Sequence, residues 1–592
     1  MGLPIGLVAT VVLTYALNLP YWDDYLVQEQ LILMKSQPTG RQKLWHLFDQ
    51  HWEHRIVWTR LIFAGWYKLT GSLNYYGLTL LGVSGLVGLF AMLTRVFWRM
   101  NLPWLYLLPV PFWLFTLQSH ENLLWAMASI QNFWVLMFAL GSFYALAHPT
   151  PKARWLALAL AVLATYTSGN GALVLIAGGM TLVWQRMKEE RRKGAVRRAG
   201  KEESNSHLQI AGPSVFRQRW GFVLIWGLVA LMSIGGYFWG YKRITFFPSP
   251  FRYPFTDWIK AYFVFFGAFA DPYPYSGAGA YGYENPLWLT IALGAILVGV
   301  GAYCLLWGVR GRKGEESTTP LSSPSSLSSP SSSPPFLPSS FFLSCFLFLL
   351  ATAAITVYSR VGFAGPGYLL QGRYKIYSAL MLVVVYLFLL YRFGHNRWPA
   401  IRWGWAALVM LTIGQSLFTD YLCLEGIINQ HRRTTAEYFN FLVNTPTDQQ
   451  RAVGSVFTPT EPVFFGGQVA QLGAKSWLLL PTTDKLNRFD TQRFMYWIEK
   501  SNSVNPSIFT PTDGTYIYMT SGVNTYLFPA RPLRPSPTAL SGLDGYFRGA
   551  GIRAQVLQEH LKPGTYRFGL LTNRKGQLDL NMTSQTVTFT GL

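Results

Sequence analysis

Two groups of ionisable residues near the N-terminus could carry acid-base and phosphate chemistry. Asp23 and Asp24 are adjacent carboxylates directly after an apolar segment, and the stretch HWEHR occupies residues 51–55. A positioned carboxylate can accept a proton from a hydroxyl group, and a guanidinium can bind phosphate through two parallel contacts. Ionisable groups are costly beside a membrane crossing, so these residues predict a site. An ordinary aqueous loop is the alternative interpretation.

The composition predicts that the segments around these residues are membrane helices. The chain has 592 residues, of which 51% are hydrophobic and 13% are charged, as expected for a multi-span membrane protein with a soluble part. The formal net charge of +22 would favour nucleic acid as the partner of a soluble protein. Here many basic residues lie in short loops between apolar segments, which indicates membrane topology, with lipids and not nucleic acid as partners. The three cysteines offer neither a disulfide framework nor a zinc site.

The apolar segments predict about eleven membrane-spanning helices. The predicted spans are residues 3–20, 75–97, 102–117, 133–147, two crossings within 153–187 that turn at 167–171, 221–240, 287–307, 341–357, 377–390 and 403–418. The first segment lacks a basic start and a small-residue cleavage site, so we expect a retained helix instead of a signal peptide. One long tilted helix is the alternative for residues 153–187. Residues 56–72 predict an amphipathic helix at the membrane interface.

Two connecting segments divide the predicted membrane part. Residues 186–219 are strongly basic and predict a cytoplasmic loop in contact with anionic lipid. Residues 314–340 contain a Ser/Pro-rich run that cannot bury enough apolar surface to fold, and they predict a disordered linker. We expect residues 1–420 to form the membrane domain and residues 421–592 an extracytoplasmic domain.

The C-terminal domain is predicted to be a β-rich α+β domain. Residues 427–443 have helical spacing and predict a continuation of the last span, and residues 488–502 predict a further helix. Tyr566 and Phe568 alternate with polar or small residues, as a half-buried strand requires. A β-sandwich is one arrangement of these strands. The predicted fold is therefore a multi-pass α-helical membrane protein with a C-terminal β-rich domain.

When the predicted crossings are counted along the chain, the candidate site residues all fall on the outer face of the membrane. These residues are Asp23, Asp24, His51, Glu53, His54, Arg55, Gln118, His120, Glu121, Asn122, Gln131, Asn170, Arg360, Arg373 and Tyr374. Several of them lie within a few residues of a predicted helix end, at the level of the lipid headgroups. We therefore expect the site to face a lipid phosphate.

The residue types suit the transfer of a sugar from a lipid phosphate to an acceptor hydroxyl. This reaction needs a carboxylate to take the proton and cations to hold the departing phosphate. Asp23 or Asp24 could be the base. Three arginines are candidates for the phosphate: Arg55, Arg360 and Arg373. His54 and His120 could donate a hydrogen bond or a proton, and the remaining outer-face residues are candidates for substrate binding.

A divalent cation could bind beside Asp23, Asp24 and Glu53, because carboxylate oxygens are good ligands for magnesium or manganese. A carboxylate base and arginines are nevertheless sufficient for the reaction. We therefore predict no metal site and no cofactor.

The order of several motifs resembles bacterial multi-span proteins related to the GT-C glycosyltransferases. The motifs are WDDY, EHRI, HENLLWAMASIQ, SGNGAL and QGRY, and the resemblance covers roughly residues 1–420. It implies an inverting transferase of the bacterial inner membrane that uses a polyprenyl-phosphate sugar and an extracytoplasmic glycan, lipid or protein acceptor. It also implies that Asp23 or Asp24 is the base and that Arg360 and Arg373 hold the phosphate.

Two other classes of protein would also explain parts of the pattern. A polysaccharide polymerase, or a transporter or flippase for a lipid-linked saccharide, would also gather arginines and aromatic residues. A transporter is expected to carry charges in the middle of its spans and paired half-repeats, and the sequence has few such charges and no convincing repeat. A membrane scaffold would explain the C-terminal domain but not the ionisable cluster.

Overall fold

The computed structural model describes residues 1–148, 150–200, 213–245, 247–274, 287–310, 338–394, 399–459, 476–478, 495–501, 513–532, 551–557, 561–574 and 577–590. The α-helices in these ranges are α1 Gly2–Tyr15, α2 Asp24–Ser36, α3 Gly40–Leu47, α4 Val57–Thr70, α5 Tyr75–Trp98, α6 Pro109–Leu114, α7 His120–Leu124, α8 Ala126–Leu146, α9 Pro151–Thr165, α10 Ala172–Gly200, α11 Pro213–Phe238, α12 Phe255–Gly267, α13 Leu287–Arg310, α14 Pro338–Ala364, α15 Gly372–Phe393, α16 Pro399–Asn444 and α17 Thr447–Gly454. The molecule is therefore mostly helical, as predicted.

Six helices within the described residues are long and apolar enough to cross a membrane. They are Tyr75–Trp98, Ala126–Leu146, Trp220–Phe238, Pro338–Ala364, Gly372–Phe393 and Trp403–Asn444. Each of the six overlaps a predicted span, and together they identify a membrane-associated protein. The predicted number of about eleven spans is wrong. Helices α1, α9 and α10 and the segment 102–117 are too short or insufficiently apolar, and within the described residues the apolar part of α13, Leu287–Tyr303, is shorter than a full span.

Residues 102–117 show most clearly why the span count was too high. This segment forms α6 between two short 3₁₀ turns, Trp104–Leu107 and Leu117–Ser119. Prolines at 103, 109 and 111 prevent one continuous helix. Residues 109–117 are buried within the protein. A short apolar run that packs in a protein core has the same composition as one that faces lipid, so hydropathy alone mistook it for a span.

The predicted hairpin at residues 153–187 is present as α9 and α10. A short turn, Gly169–Gly171, joins the two helices, and neither of them belongs to the six long apolar helices. Gly171 lies so close to the end of α9 that an added Cβ would be 1.7 Å from the Ala164 carbonyl oxygen. Glycine is therefore required at this turn.

The basic segment 186–219 is only partly the loop that we predicted. Residues up to Gly200 continue α10, and α11 begins at Pro213, so the loop assignment is wrong for both ends. Glu, Lys, Arg and Ala are good helix formers, and Arg186 pairs with Glu189 at 2.8 Å one turn away. Residues 201–212 lie outside the described residues. The predicted linker 314–340 also lies outside them, except that α14 already begins at Pro338.

Close packing of α5 and α8 fixes the start of α8 beneath the N-terminal segment. An added Cβ at Gly82 would lie 2.2 Å from the Ser129 Cβ, so only glycine allows this approach of the two helices. The Oγ atom of Ser129 also donates to the carbonyl oxygens of Asn122 and Trp125. The first turn of α8 is thus held against the site described below.

Seven strands within the described residues form one C-terminal sheet. They are β1 Ser476–Leu478, β2 Met495–Ser501, β3 Gly514–Thr520, β4 Thr525–Pro532, β5 Gly551–Leu557, β6 Gly564–Arg574 and β7 Gln577–Phe589. The strand order is β1-β7-β6-β3-β4-β5-β2, with only the β1–β7 pair parallel. The β-rich prediction is confirmed. The described strands form a single sheet instead of the two sheets of a sandwich.

The helix predicted at residues 488–502 is wrong where the structure describes it. Residues 495–501 are β2, which pairs antiparallel with β5. Tyr496, Trp497 and Ile498 are aromatic or β-branched residues that favour a strand, and pairing with β5 satisfies their backbone. Residues 488–494 lie outside the described residues.

Helix α16 joins the membrane part to the sheet. It runs without interruption past residue 420, as predicted, and its Asn440 and Asn444 side chains bond the backbone of β4. Asn440 accepts from the Leu527 N–H at 2.7 Å and donates to its carbonyl at 3.0 Å, and Asn444 does the same with Thr525 at 2.9 and 2.6 Å. The two side-chain amides therefore satisfy backbone N–H and carbonyl groups of β4, as a neighbouring strand would. The domain boundary at residue 420 stays a prediction.

Candidate functional site

The adjacent carboxylates Asp23 and Asp24 have different environments. Asp24, the first residue of α2, is buried with 1% of its surface exposed. Its two oxygens accept from the backbone N–H groups of Tyr21 at 3.1 Å and Met127 at 3.0 Å. Met127 belongs to the first turn of α8, whose N–H groups lack partners within the helix. Asp24 therefore ties the start of α2 to the start of α8.

Burial has a clear electrostatic effect on Asp24. It raises the pKa of this carboxyl to about 8, although the two backbone hydrogen bonds and the Trp125 side chain favour the ionised form. A charge in this position would have little solvent to stabilise it. The protonated form consequently predominates at neutral pH.

Asp23 is partly exposed and faces other ionisable groups. Its Oδ1 accepts a hydrogen bond from the Trp52 indole N–H at 3.1 Å. Its charge also acts on His54 and on Arg373, which places all three groups in one region. Asp23 is thus the carboxylate of the pair that a substrate could reach.

Two tryptophans beside Asp23 have unusual backbone conformations. Trp22 and Trp52 both have a φ of +48°, which bulky residues adopt only where their surroundings hold them. The Trp22 ring is stacked on Trp125 with ring centres 5.8 Å apart and an interplanar angle of 9°. Backbone strain of this kind is concentrated at functional sites. Here one strained residue directly precedes Asp23 in the chain, and the other donates a hydrogen bond to it.

The HWEHR stretch forms a tight hairpin. The backbone N–H of His51 donates to the His54 carbonyl at 2.7 Å, and the reverse bond is 2.8 Å long. Burial lowers the pKa of His51 to about 3 and that of His54 to about 4. Both rings are therefore neutral at physiological pH. His54 can exchange hydrogen bonds with a substrate but cannot supply a positive charge.

Arg55 is occupied by the protein itself. Its Nε donates to the Tyr237 carbonyl at 2.5 Å, and its terminal nitrogens donate to the carbonyls of Phe48 and Trp239. Arg60, which sequence reasoning did not select, similarly donates to the carbonyls of Leu47 and Asp49. Both guanidiniums hold the 48–60 segment in place. Arg55 has little capacity left for a phosphate, whereas the buried Nε of Arg60 has no hydrogen-bond partner within the described part of the chain. The expectation that Arg55 binds phosphate has no support in this arrangement.

Arg360 lies against the hairpin from α14. One terminal nitrogen forms an ion pair with Glu53, and Nε donates to the Tyr374 hydroxyl at 2.9 Å. The Glu53 carboxylate also lies 3.5 Å from Nε2 of His54. The guanidinium carbon is 5.7 Å from the centre of the Phe247 ring. The structure thus brings together Glu53, His54, Arg360 and Tyr374, which lie far apart in the sequence.

Arg373 has few partners for its five N–H donors. One terminal nitrogen lies 3.4 Å from the Tyr368 hydroxyl, and the buried Nε has no hydrogen-bond partner within the described part of the chain. The guanidinium carbon lies 5.8 Å from the centre of the Trp22 ring. An unsatisfied buried donor is costly, and a ligand that accepts a hydrogen bond from it would remove this cost.

Glu121 and Asn122 position the backbone of Arg373. The Arg373 N–H donates to Oε2 of Glu121 at 3.1 Å, and Nδ2 of Asn122 donates to the Arg373 carbonyl at 3.1 Å. Asn122 itself is fully buried. These two candidates contribute to the site by fixing the start of α15.

Four other candidates lie within the protein interior and bond to neighbouring elements. Gln118 donates to the carbonyls of Phe269 and Asp271 at 3.0 and 2.8 Å. Gln131 donates to Ser168, and Asn170 donates to Tyr377. His120 is buried close to Gly372, and burial lowers its pKa to about 4. The observed contacts of these four residues stabilise the fold around the site.

Sequence reasoning missed Arg433 of α16, which reaches the same tryptophan. Its guanidinium carbon lies 5.1 Å from the Trp22 ring centre, and its Nε donates to Glu437 at 3.0 Å. The spacing of Arg433 and Glu437 by four residues on a predicted amphipathic helix was the available signal. We call Tyr21, Trp22, Trp125, Arg373 and Arg433 the Trp22 cluster.

Within the described ranges there is no group of three or more His, Cys, Asp or Glu residues suited to a metal ion. Comparison with protein-family models, curated proteins and solved structures finds no match. The geometry of the site is therefore the basis on which we infer the function.

Proposed function

We propose that this protein is a membrane glycosyltransferase of the GT-C type that moves a sugar from a polyprenyl-phosphate donor to an acceptor hydroxyl. The observation that carries the proposal is the proximity of the partly exposed Asp23 carboxylate to the Arg373 guanidinium, whose Nε lacks a partner among the described residues. A base and a phosphate-binding cation are the two groups that this reaction needs.

Each step of the proposed reaction has a group to support it. Asp23 takes the proton of the acceptor hydroxyl while the acceptor oxygen attacks the anomeric carbon. The bond between that carbon and the phosphate oxygen breaks, the electron pair leaves with the phosphate, and the sugar configuration inverts. Arg373 and Arg360 stabilise the charge that develops on the phosphate.

Asp23 is the better candidate for the base than Asp24. Asp24 is buried, and both of its oxygens accept backbone hydrogen bonds. Asp23 is partly exposed, and the Trp52 indole orients one of its oxygens. The neutral His54 ring can orient the acceptor by hydrogen bonding.

Two buried charges of the long helices, Lys375 and Asp420, have fixed protein partners. Lys375 pairs with Asp271 at 2.9 Å, and Asp420 accepts from Thr116 and from the Leu117 N–H. These contacts explain Lys375 and Asp420 as residues that stabilise the fold. In a transporter, buried charges would be expected to line the pathway of the substrate. This supports transfer over transport or export of a lipid-linked saccharide.

We place the acceptor and the C-terminal domain outside the bacterial inner membrane. The acceptor is then an extracytoplasmic glycan, lipid or protein. This assignment follows from the distribution of basic residues, since the arginines at 95, 99 and 392 lie at the ends of apolar helices.

The test is turnover of radiolabelled polyprenyl-phosphate sugars by the purified protein in lipid nanodiscs. Asp23→Asn should reduce turnover by about 10²–10⁴-fold, because the amide can still accept from Trp52 but cannot take a proton. Asp448→Asn is the matched control, since Asp448 is an exposed carboxylate on α17 with a side chain that is 95% accessible.

Two results would contradict the proposal. Normal turnover by Asp23→Asn would remove the assignment of the base. No labelled product with any donor, together with tight binding of a lipid-linked saccharide by the wild type, would favour transport or export instead.

A further inference from the structure

Arg433 contributes a second guanidinium to the surroundings of Trp22. Arg373 comes from α15 and Arg433 from α16, and their guanidinium carbons lie 5.8 and 5.1 Å from the same ring centre. Arg433 also lies 5.6 Å from the centre of the Tyr21 ring. The aromatic rings restrict both guanidiniums and stabilise their charge.

The hydrogen-bonding capacity of Arg433 is mostly unused by the protein. Nε donates to Glu437, but its terminal nitrogens make no hydrogen bond to another described residue. Its side chain is 20% exposed, so a ligand could reach these nitrogens. Arg373 has an unpartnered Nε in the same region. Two arginines therefore present available donors around one tryptophan.

The carboxylates near the two guanidiniums do not use all of their donors. Glu121 acts electrostatically on both Arg373 and Arg433, Asp23 acts on Arg373, and Glu437 acts on Arg433. Glu121 uses Oε2 to accept from the Arg373 backbone, and Glu437 accepts from Nε of Arg433. Neither glutamate therefore provides the two-point contact that a guanidinium makes with a phosphate.

The attachment of α16 to the sheet holds Arg433 in position. Arg433, Glu437, Asn440 and Asn444 follow one another at spacings of four, three and four residues, which places them on one face of the helix. The last two bond the backbone of β4. A fixed helix lowers the entropic cost of ordering the arginine on binding.

We infer that Arg433 is a phosphate-binding residue and that, together with Arg373, it binds the phosphate of a polyprenyl-linked ligand beside Trp22. This inference rests on the proposed function, since it concerns the donor of that same site. It extends the site to α16, and it makes the C-terminal sheet a support for donor binding.

The test measures binding of polyprenyl phosphate to the full-length protein in nanodiscs of zwitterionic lipid. Arg433→Gln should weaken binding by about tenfold or more, because a charge-assisted contact is lost. Arg433→Lys should give an intermediate affinity, since an ammonium keeps the charge but not the planar two-point contact. Arg451→Gln, which changes the same charge at an exposed position of α17, should bind as the wild type does.

Glu437→Gln distinguishes ligand binding from a structural role of the pair. Removal of this carboxylate releases Arg433 and removes a charge that repels the ligand, so affinity should rise severalfold. If the Arg433–Glu437 pair only stabilised α16, Glu437→Gln and Arg433→Gln would both weaken binding. Thermal unfolding of each variant identifies any that do not fold.

The outcomes separate this inference from the proposed function. Unchanged affinity in Arg433→Gln, with turnover by the wild type, would overturn the role of Arg433 and leave the transferase intact. Weaker binding in Arg433→Gln and tighter binding in Glu437→Gln, without turnover of any donor, would support the phosphate site and contradict the transferase. No binding of polyprenyl phosphate by the wild type would overturn both.

Discussion

The hairpin segment, residues 48–60, and the Trp22 cluster use arginine in opposite ways. Arg55 directs its guanidinium at three backbone carbonyls, and Arg60 directs one terminal nitrogen at two. Arg373 makes one long hydrogen bond to Tyr368, and Arg433 bonds through Nε alone within the described structure. Both regions lie beside Asp23, and both present positive charge at this part of the molecule.

The clearest difference is between Arg55, whose three nitrogens all donate to backbone carbonyls, and the arginines to which we assign phosphate binding, Arg373 and Arg433. Arg60 lies between these cases, because its Nε has no partner among the described residues. A guanidinium has five donors, and the free energy of leaving them unsatisfied in a buried position is unfavourable. Where backbone carbonyls take these donors, the residue stabilises the fold. Around Arg373 and Arg433 aromatic rings lie beside the guanidiniums, and each guanidinium makes a single side-chain hydrogen bond among the described residues, so donors remain available for an anion. The two carboxylates differ in the same way. Both oxygens of Asp24 accept backbone hydrogen bonds, whereas Asp23 is partly exposed.

The largest effect on stability is expected from Arg55→Lys. A lysine ammonium cannot reach the carbonyls of Phe48, Tyr237 and Trp239 together, so buried acceptors would lose their partners. We expect the free energy of unfolding to fall by roughly 2–5 kcal/mol. The measurement is thermal unfolding of the purified variant in detergent.

Arg451→Lys is the control for this substitution, because its side chain is 78% exposed. It should leave the unfolding temperature unchanged. An unchanged unfolding temperature in Arg55→Lys would mean that the hairpin segment is not held by its arginine, and the contrast between the two regions would disappear.

Much of the helical fold could be predicted from the sequence. Long apolar runs identified all six helices that can cross a membrane, and the glycines at 169 and 171 identified the turn between α9 and α10. The continuation of the last span as an amphipathic helix was also predicted correctly. These features depend on local composition and spacing, which the sequence displays directly.

Features that depend on tertiary contacts could not be predicted. Residues 102–117 are apolar because they are buried in protein, and residues 495–501 form a strand because β5 pairs with them. The sequence selected Asp23, Glu53, Arg360 and Arg373 for one site, and the structure brings them together. It could not show that Asp24 and Arg55 are satisfied by backbone groups, since these contacts join residues up to 184 positions apart.

The titration of Asp24 is expected to have an effect of intermediate size on the free energy of unfolding. Burial raises the pKa of Asp24 to about 8 in the folded protein, whereas an unfolded chain has the ordinary value near 4. The folded state therefore binds more protons than the unfolded state between these values. Stability should fall as the pH rises toward 8, by at most about 1.4 kcal/mol per pH unit.

Unfolding measurements between about pH 7.5 and 8.5 isolate this effect. The pKa values of His51, His54 and His120 are lowered, so these rings are neutral in the folded protein, and at these pH values they are also largely neutral in the unfolded chain, where histidine titrates near 6.5. Near pH 6.5 they oppose Asp24, since the unfolded chain then binds the additional protons. Asp24→Asn should remove the decline between about pH 7.5 and 8.5, and Asp23→Asn should retain it. A decline of equal slope in Asp24→Asn would exclude Asp24 as its origin.

The smallest effect on stability is expected from Arg373→Lys, which repeats the Arg55 substitution in the Trp22 cluster. The protein would lose the 3.4 Å contact to Tyr368, while an ammonium would keep a positive charge beside the Trp22 and Tyr374 rings, so the free energy of unfolding should change by less than about 1 kcal/mol. Affinity for polyprenyl phosphate should nevertheless fall, because an ammonium cannot reproduce the two-point contact with phosphate. Thermal unfolding and nanodisc binding of the same preparation measure both quantities. A large loss of stability with unchanged affinity would mean that Arg373 stabilises the fold as Arg55 does. The two regions would then not differ in how they use arginine, and the proposed function would lose the residue on which it depends.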